Sequence, residues 1–76
     1  MSGRRVDDYL RYPCGASVRL GDYIREPDGR HAAIVVAVWS NALRVRFVES
    51  GWRAEYRALD VVKLQKWELG DFGIPV

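Results

Sequence analysis

The sequence predicts an all-β domain of five short strands wrapped into one small barrel. Two β-rich runs, 34–39 and 42–48, are separated only by Ser40-Asn41, the length of a tight hairpin turn. The second run alternates strictly, with Leu43, Val45 and Phe47 on one side and Arg44 and Arg46 on the other, as a half-buried strand requires. Turn chemistry recurs on either side of them, in Pro27-Asp28-Gly29 and in Glu49-Ser50-Gly51.

Taken in order, residues 4–12 place Val6, Tyr9 and Leu10 at i, i+3 and i+4, one amphipathic turn of helix that Pro13 ends. So short a helix holds only when docked, and an extended arm is the competing expectation. Strand one is expected at 23–25, with a start as early as Val18. Pro27-Asp28-Gly29 then turns the chain into strand two, 32–39. The unbroken apolar character of that strand predicts cover on both faces, by a curled sheet or by another subunit. Strand three follows the Ser40-Asn41 turn. Glu49-Ser50-Gly51 makes the next hairpin, with glycine at the left-handed position. Strand four, 52–56, sets Trp52, Ala54 and Tyr56 against Arg53, Glu55 and Arg57. A single 3₁₀ turn is expected over 57–60, and strand five over 61–64. The boundaries are an N-terminal helix or arm at 1–16, the barrel at 17–66 and a C-terminal tail at 67–76. Leu69, Phe72 and Ile74 make that tail unusually apolar.

Seventy-six residues form one domain, with a thin core and marginal stability. Hydrophobic residues make up 49%, which is the composition of a folded chain. Nine aromatic residues (three Trp, four Tyr, two Phe) exceed what so small a core needs, and oligomerisation is one outlet for the surplus. The net charge is +2, and ten of the twelve cations are arginine, the residue suited to bidentate pairing with carboxylate or phosphate. No run of like charge marks a nucleic-acid tail. Cys14 is the only cysteine, so no internal disulfide forms. No apolar run follows Arg4-Arg5, and none reaches the roughly 20 residues a membrane span needs. A soluble, cytoplasmic protein without membrane contact is expected.

Catalytic groupings are scarce. With one histidine, His31, and one thiol, neither a metal cluster nor a Ser-His-Asp triad assembles. Asp7 and Asp8 offset nearby arginines, Asp22 is a lone candidate carboxylate, and the glycines have no phosphate-loop spacing. No catalytic residue, cofactor or metal is therefore expected. Two surfaces remain as candidate binding sites. The first is an arginine patch of Arg44, Arg46, Arg53 and Arg57, interrupted by Glu55; it is either a solvated sheet face or a dock for an acidic partner or phosphate backbone. The second is a set of aromatics, Tyr23, Trp39, Trp52 and Tyr56, gathered at one end of the barrel to stack on bases or cage a cation, or else serving as core and subunit contacts.

The strand order, the Gly21-Asp22-Tyr23-Ile24-Arg25 opening and the turn at 57–60 resemble the SH3-like barrels, including Tudor-like and KOW modules. The resemblance covers about residues 18–65. It departs from a KOW module at Ala32-Ala33, where a glycine is usual, and from signalling SH3 domains in lacking their acidic, tyrosine-rich opening. It implies a binding module. The same opening, the 34–39 run and Tyr56 are similar to plasmid-type (type II) dihydrofolate reductase, whose site lies at the centre of a tetramer. Arg53-Ala54-Glu55-Tyr56 lacks that family's glutamine, and Glu26 stands where it has a lysine and would repel an anionic cofactor. The leading expectation is a non-enzymatic module for protein–protein interaction or homo-oligomeric scaffolding. Nucleic-acid binding is the alternative, and a reductase-like enzyme comes last.

Overall fold

A computed structural model describes residues 10–27 and 29–75. Its centre is one antiparallel sheet of five strands: β1 (Tyr23–Arg25), β2 (Ala32–Val38), β3 (Leu43–Phe47), β4 (Arg53–Tyr56) and β5 (Val62–Lys63). Their order across the sheet is β4-β3-β2-β1-β5. The all-β class and all five strands thus follow the sequence expectation.

The hairpins form for the expected local reasons, with two refinements. Gly51 has φ 78°, the left-handed conformation that favours glycine, and its N–H donates to the Phe47 carbonyl at 2.8 Å. At Gly29 the reason is space, since a Cβ there would lie 2.8 Å from the Glu26 Cβ. The Ser40-Asn41 turn closes through the Trp39 N–H to the Ala42 carbonyl at 2.8 Å, although no described residue except glycine has positive φ. It is therefore not the mirror-image turn that best matches strand twist. A β-bulge lies just before it: Val35 pairs with Val45 and Ala37 with Arg44, leaving Val36 unpaired. The bulge adds local twist and restores phase, setting Val38 rather than Ala37 opposite Leu43.

The main core lies on one face of the sheet. Val18, Ile24, Ala33, Val35, Leu43, Val45 and Val61 are buried there, with Tyr12 beneath them. Ala54 and Tyr56 of β4 pack against the same core, as their alternation predicts. Residue 57 leads into a 3₁₀ turn, Ala58–Asp60, matching expectation to within a residue.

One segment differs from expectation, and another lies mostly outside the described residues. The helical turn predicted over 4–12 falls largely outside the described residues, and its described end, 10–12, is not helical. Leu10 to Val18 instead doubles back as a tight loop, with Val18 N–H on the Leu10 carbonyl at 3.0 Å and Tyr12 N–H on the Ala16 carbonyl at 2.9 Å. An isolated bridge joins Arg11 to Ser17. Burial of Tyr12, at 1% exposure, favours this path over a helix that Pro13 would in any case cut short.

The segment expected as a tail is also folded. It forms a 3₁₀ helix, Lys66–Phe72, and brings Ile74 back onto Ala32 and Leu64, with Tyr23, Leu69 and Phe72 around them. This second small core covers the far side of β2 where the strand begins. The chain itself therefore supplies cover for β2 at Ala32, while Val36 further along the strand stays exposed. No helix among the described residues is long and apolar enough to cross a membrane.

Candidate functional site

The arginine patch comes from strict alternation on β3 and β4. Their register sets Arg44 opposite Glu55 and Arg46 opposite Arg53, on the face away from the main core. Arg44 is already engaged. Its guanidinium donates to the Glu55 carboxylate at 2.7 Å and lies 5.2 Å from the Trp39 ring centroid. That ion pair is about half exposed and is worth under about 1 kcal/mol. Arg46 and Arg53 have no such partner: they face each other, and among the described residues no carboxylate pairs with either. Directly opposed like charges destabilise a sheet. Exposed Val36 and half-buried Ala37 adjoin them, lining a shallow depression of about 290 Å³ with Arg44, Arg46 and Arg53.

Arg57, the fourth expected member of the patch, is turned to another task. Its Nε and Nη2 donate to the two oxygens of Asp60 at 2.8 and 3.3 Å, across the 3₁₀ turn. The carboxylate holds this guanidinium even more firmly protonated than usual. Asp22, the lone candidate carboxylate, is likewise structural. It accepts from the Tyr12 hydroxyl at 2.8 Å and from the Arg19 N–H at 2.9 Å.

The four aromatics do not gather at one end. Tyr23 packs in the second core beside Ala32, Leu64 and Ile74. Tyr56 packs against the main core, where burial first, and the nearby Glu26 carboxylate second, push its hydroxyl pKa up. Trp39 sits at the β2–β3 turn and Trp52 at the β3–β4 hairpin, so the five residues of β3 separate them. That is about 17 Å at the rise of an extended chain. Trp39 is 40% exposed and Trp52 74%.

Sequence reasoning did not single out the groove beside Trp52. It has a volume of about 580 Å³ and is lined by Glu26, His31, Phe47, Glu49, Ser50 and Trp52. Glu26 and His31 flank the β1–β2 turn, while Glu49, Ser50 and Trp52 belong to the β3–β4 hairpin. In an antiparallel meander alternate turns share an end of the sheet, and that rule could have brought these distant residues together. The Ser50 hydroxyl accepts from the Trp52 N–H at 3.2 Å, and the Phe47 N–H donates to the Trp52 carbonyl at 2.7 Å, fixing the backbone that carries the indole. His31 Nδ1 lies 3.7 Å from a Glu49 oxygen, both side chains being largely exposed.

Nothing in the sequence pattern marked Trp67, now 79% exposed, or Leu59, 70% exposed, as surface residues. Among the described residues no group of three or more His, Cys, Asp or Glu side chains is placed to hold a metal ion. No protein-family model matches the chain, and no curated protein or solved structure matches it either.

Proposed function

We propose that this chain is a non-enzymatic binding module, an SH3-like barrel whose outer sheet face docks a carboxylate-bearing surface of a partner protein. The connection from β4 to β5 supports the barrel. Those strands are the two outer members of the sheet order, yet only residues 57–61 join them, three of them in a 3₁₀ turn. Such a link reaches about 16 Å. The outer strands of a flat five-stranded sheet would stand about 19 Å apart, which favours a curled sheet over a flat one.

The observation that carries the function is that Arg46 and Arg53 oppose each other beside exposed Val36, with no carboxylate among the described residues paired to either. A fold keeps two opposed guanidinium groups at some cost in stability, and an anionic partner relieves it. The adjoining apolar surface favours a protein over a bare polyanion. Nucleic acid is the second reading, and it rests on Arg44 lying over the exposed Trp39 ring, a platform on which a base could extend the stack.

Anisotropy with a labelled peptide of alternating Glu and Leu, run beside single- and double-stranded oligonucleotides across a salt series, separates the two. Protein docking predicts that the peptide is preferred and that Arg46→Ala with Arg53→Ala weakens it about 100-fold, at about 1.4 kcal/mol per lost charged contact. Tighter oligonucleotide binding, with a salt slope that falls by about two in the double variant, selects the nucleic-acid reading. Absence of salt-sensitive binding to either probe would reject the site. Light scattering on a sizing column adds one discrimination: mass that rises with concentration, and falls back in the double variant, makes the partner a second copy.

A further inference from the structure

We infer that the groove between the β1–β2 turn and the β3–β4 hairpin is a second binding site, one that takes an arginine side chain from a partner protein segment. It shares no residue with the arginine face and does not depend on that reading. Its chemistry has the opposite sign: Glu26 and Glu49 supply two carboxylates, while Trp52 and Phe47 supply aromatic surface, in a space of about 580 Å³. That volume comfortably accommodates a guanidinium with its aliphatic stem.

The molecule already contains the occupied form of this arrangement. At the other end of β3, the Arg44 guanidinium lies 5.2 Å from the Trp39 centroid and bonds the Glu55 carboxylate at 2.7 Å. An indole, a guanidinium and a carboxylate there satisfy one another. At the Trp52 end the indole, the Glu49 carboxylate and Glu26, which also lies near the Tyr56 hydroxyl, are present, and the guanidinium is the missing member. Among the described residues no arginine or lysine lines the groove. Its one nitrogen base, His31, lies 3.7 Å from Glu49, beyond hydrogen-bonding distance. The Trp52 indole is 74% exposed, on a backbone pinned by Ser50 and Phe47. Arginine fits better than lysine because its planar fork can stack on the indole and reach carboxylates at its edge, whereas an ammonium is a strongly hydrated point charge.

The test is a titration of the full chain with acetyl-Gly-Arg-Gly-amide, followed by two-dimensional NMR of the amide and indole N–H signals. The expected result is a saturable shift of the Trp52 indole and the Glu49 amide, at least fivefold weaker with the lysine tripeptide. The response should be lost in Glu26→Gln with Glu49→Gln, whose unchanged remaining spectrum certifies the fold. Three results would overturn the inference: no shift of Trp52, equal response to the lysine tripeptide, or an undiminished response in the double variant. Loss of acidic-peptide binding at Arg46 and Arg53 would leave this result untouched, so failure of either site is read separately.

Discussion

Tyr12→Ala is expected to cost about 3–5 kcal/mol, the range for removing a large buried aromatic. At about 0.05–0.15 kcal/mol per residue, a chain of this length has only about 4–11 kcal/mol to lose. Tyr12 is 1% exposed beneath the main core, and its hydroxyl donates to Asp22 at 2.8 Å. It thereby ties the 10–18 loop to the turn that leads into β1. Tyr12→Phe keeps the ring and removes only that bond to a carboxylate, so a smaller loss of about 1.5–3 kcal/mol is expected.

The pH dependence separates the hydroxyl from the ring. Burial first, and the Asp22 hydrogen bond and charge next, push the Tyr12 pKa far above its ordinary value. The group is protonated in both folded and unfolded chains below about pH 10, and its stabilising effect is fully present there. Above that, the unfolded chain releases the proton and the folded chain keeps it, so stability falls as pH rises. Urea unfolding at pH 9, 10 and 11 should show a steeper alkaline loss in the wild type than in Tyr12→Phe. The difference in slope should approach about 1.4 kcal/mol per pH unit. Parallel slopes would mean that the hydroxyl is not sequestered.

Arg46→Glu is expected to move stability and binding in opposite directions. It replaces an opposed pair of cations with an opposite-charge pair at the same register position, Arg53 being directly across. Cross-strand pairs of this kind are worth roughly 0.2–1 kcal/mol, so folding should strengthen by up to about 1 kcal/mol. For a domain of this size that raises Tm by about 4–8 °C. Binding of the acidic peptide should disappear, because the new carboxylate both occupies Arg53 and repels the ligand. A variant that folds better and binds worse is the signature of a face held in a costly arrangement for a partner. A variant that loses both would show that Arg46 supports the fold, and the docking reading would lose its main support.

The strands were legible because their signals are local. Alternation in 43–47 and 53–56 places Arg44, Arg46, Arg53 and Glu55 on one face, while the register that sets Glu55 opposite Arg44 comes from the fold. Turn chemistry at Gly51 and the single 3₁₀ turn before β5 were legible for the same reason. Long-range packing was not. Nothing near Tyr12 announces a bond to Asp22, ten residues on. Ile74 is apolar in sequence, yet only the fold shows it seated on Ala32. Composition alone does not separate the aromatics, whereas the end of the sheet that each turn occupies does: Trp39 belongs to the β2–β3 turn, and Trp52 to a hairpin at the opposite end. The same rule, applied across 26–31 and 49–52, would have brought Glu26 and Glu49 to one groove.

Docking of an anionic partner on the outer face of β3 and β4, as proposed above, has a direct spectroscopic signature. The most direct measurement follows the arginine side-chain Nε–H signals by NMR while the Glu-Leu peptide is added at low salt. Docking predicts saturable shifts concentrated on Arg46 and Arg53, with the Val36 amide moving alongside them. It predicts a much smaller change at Arg57, which remains paired with Asp60. Shifts spread evenly over all the arginines, or centred away from Arg46 and Arg53, would contradict it.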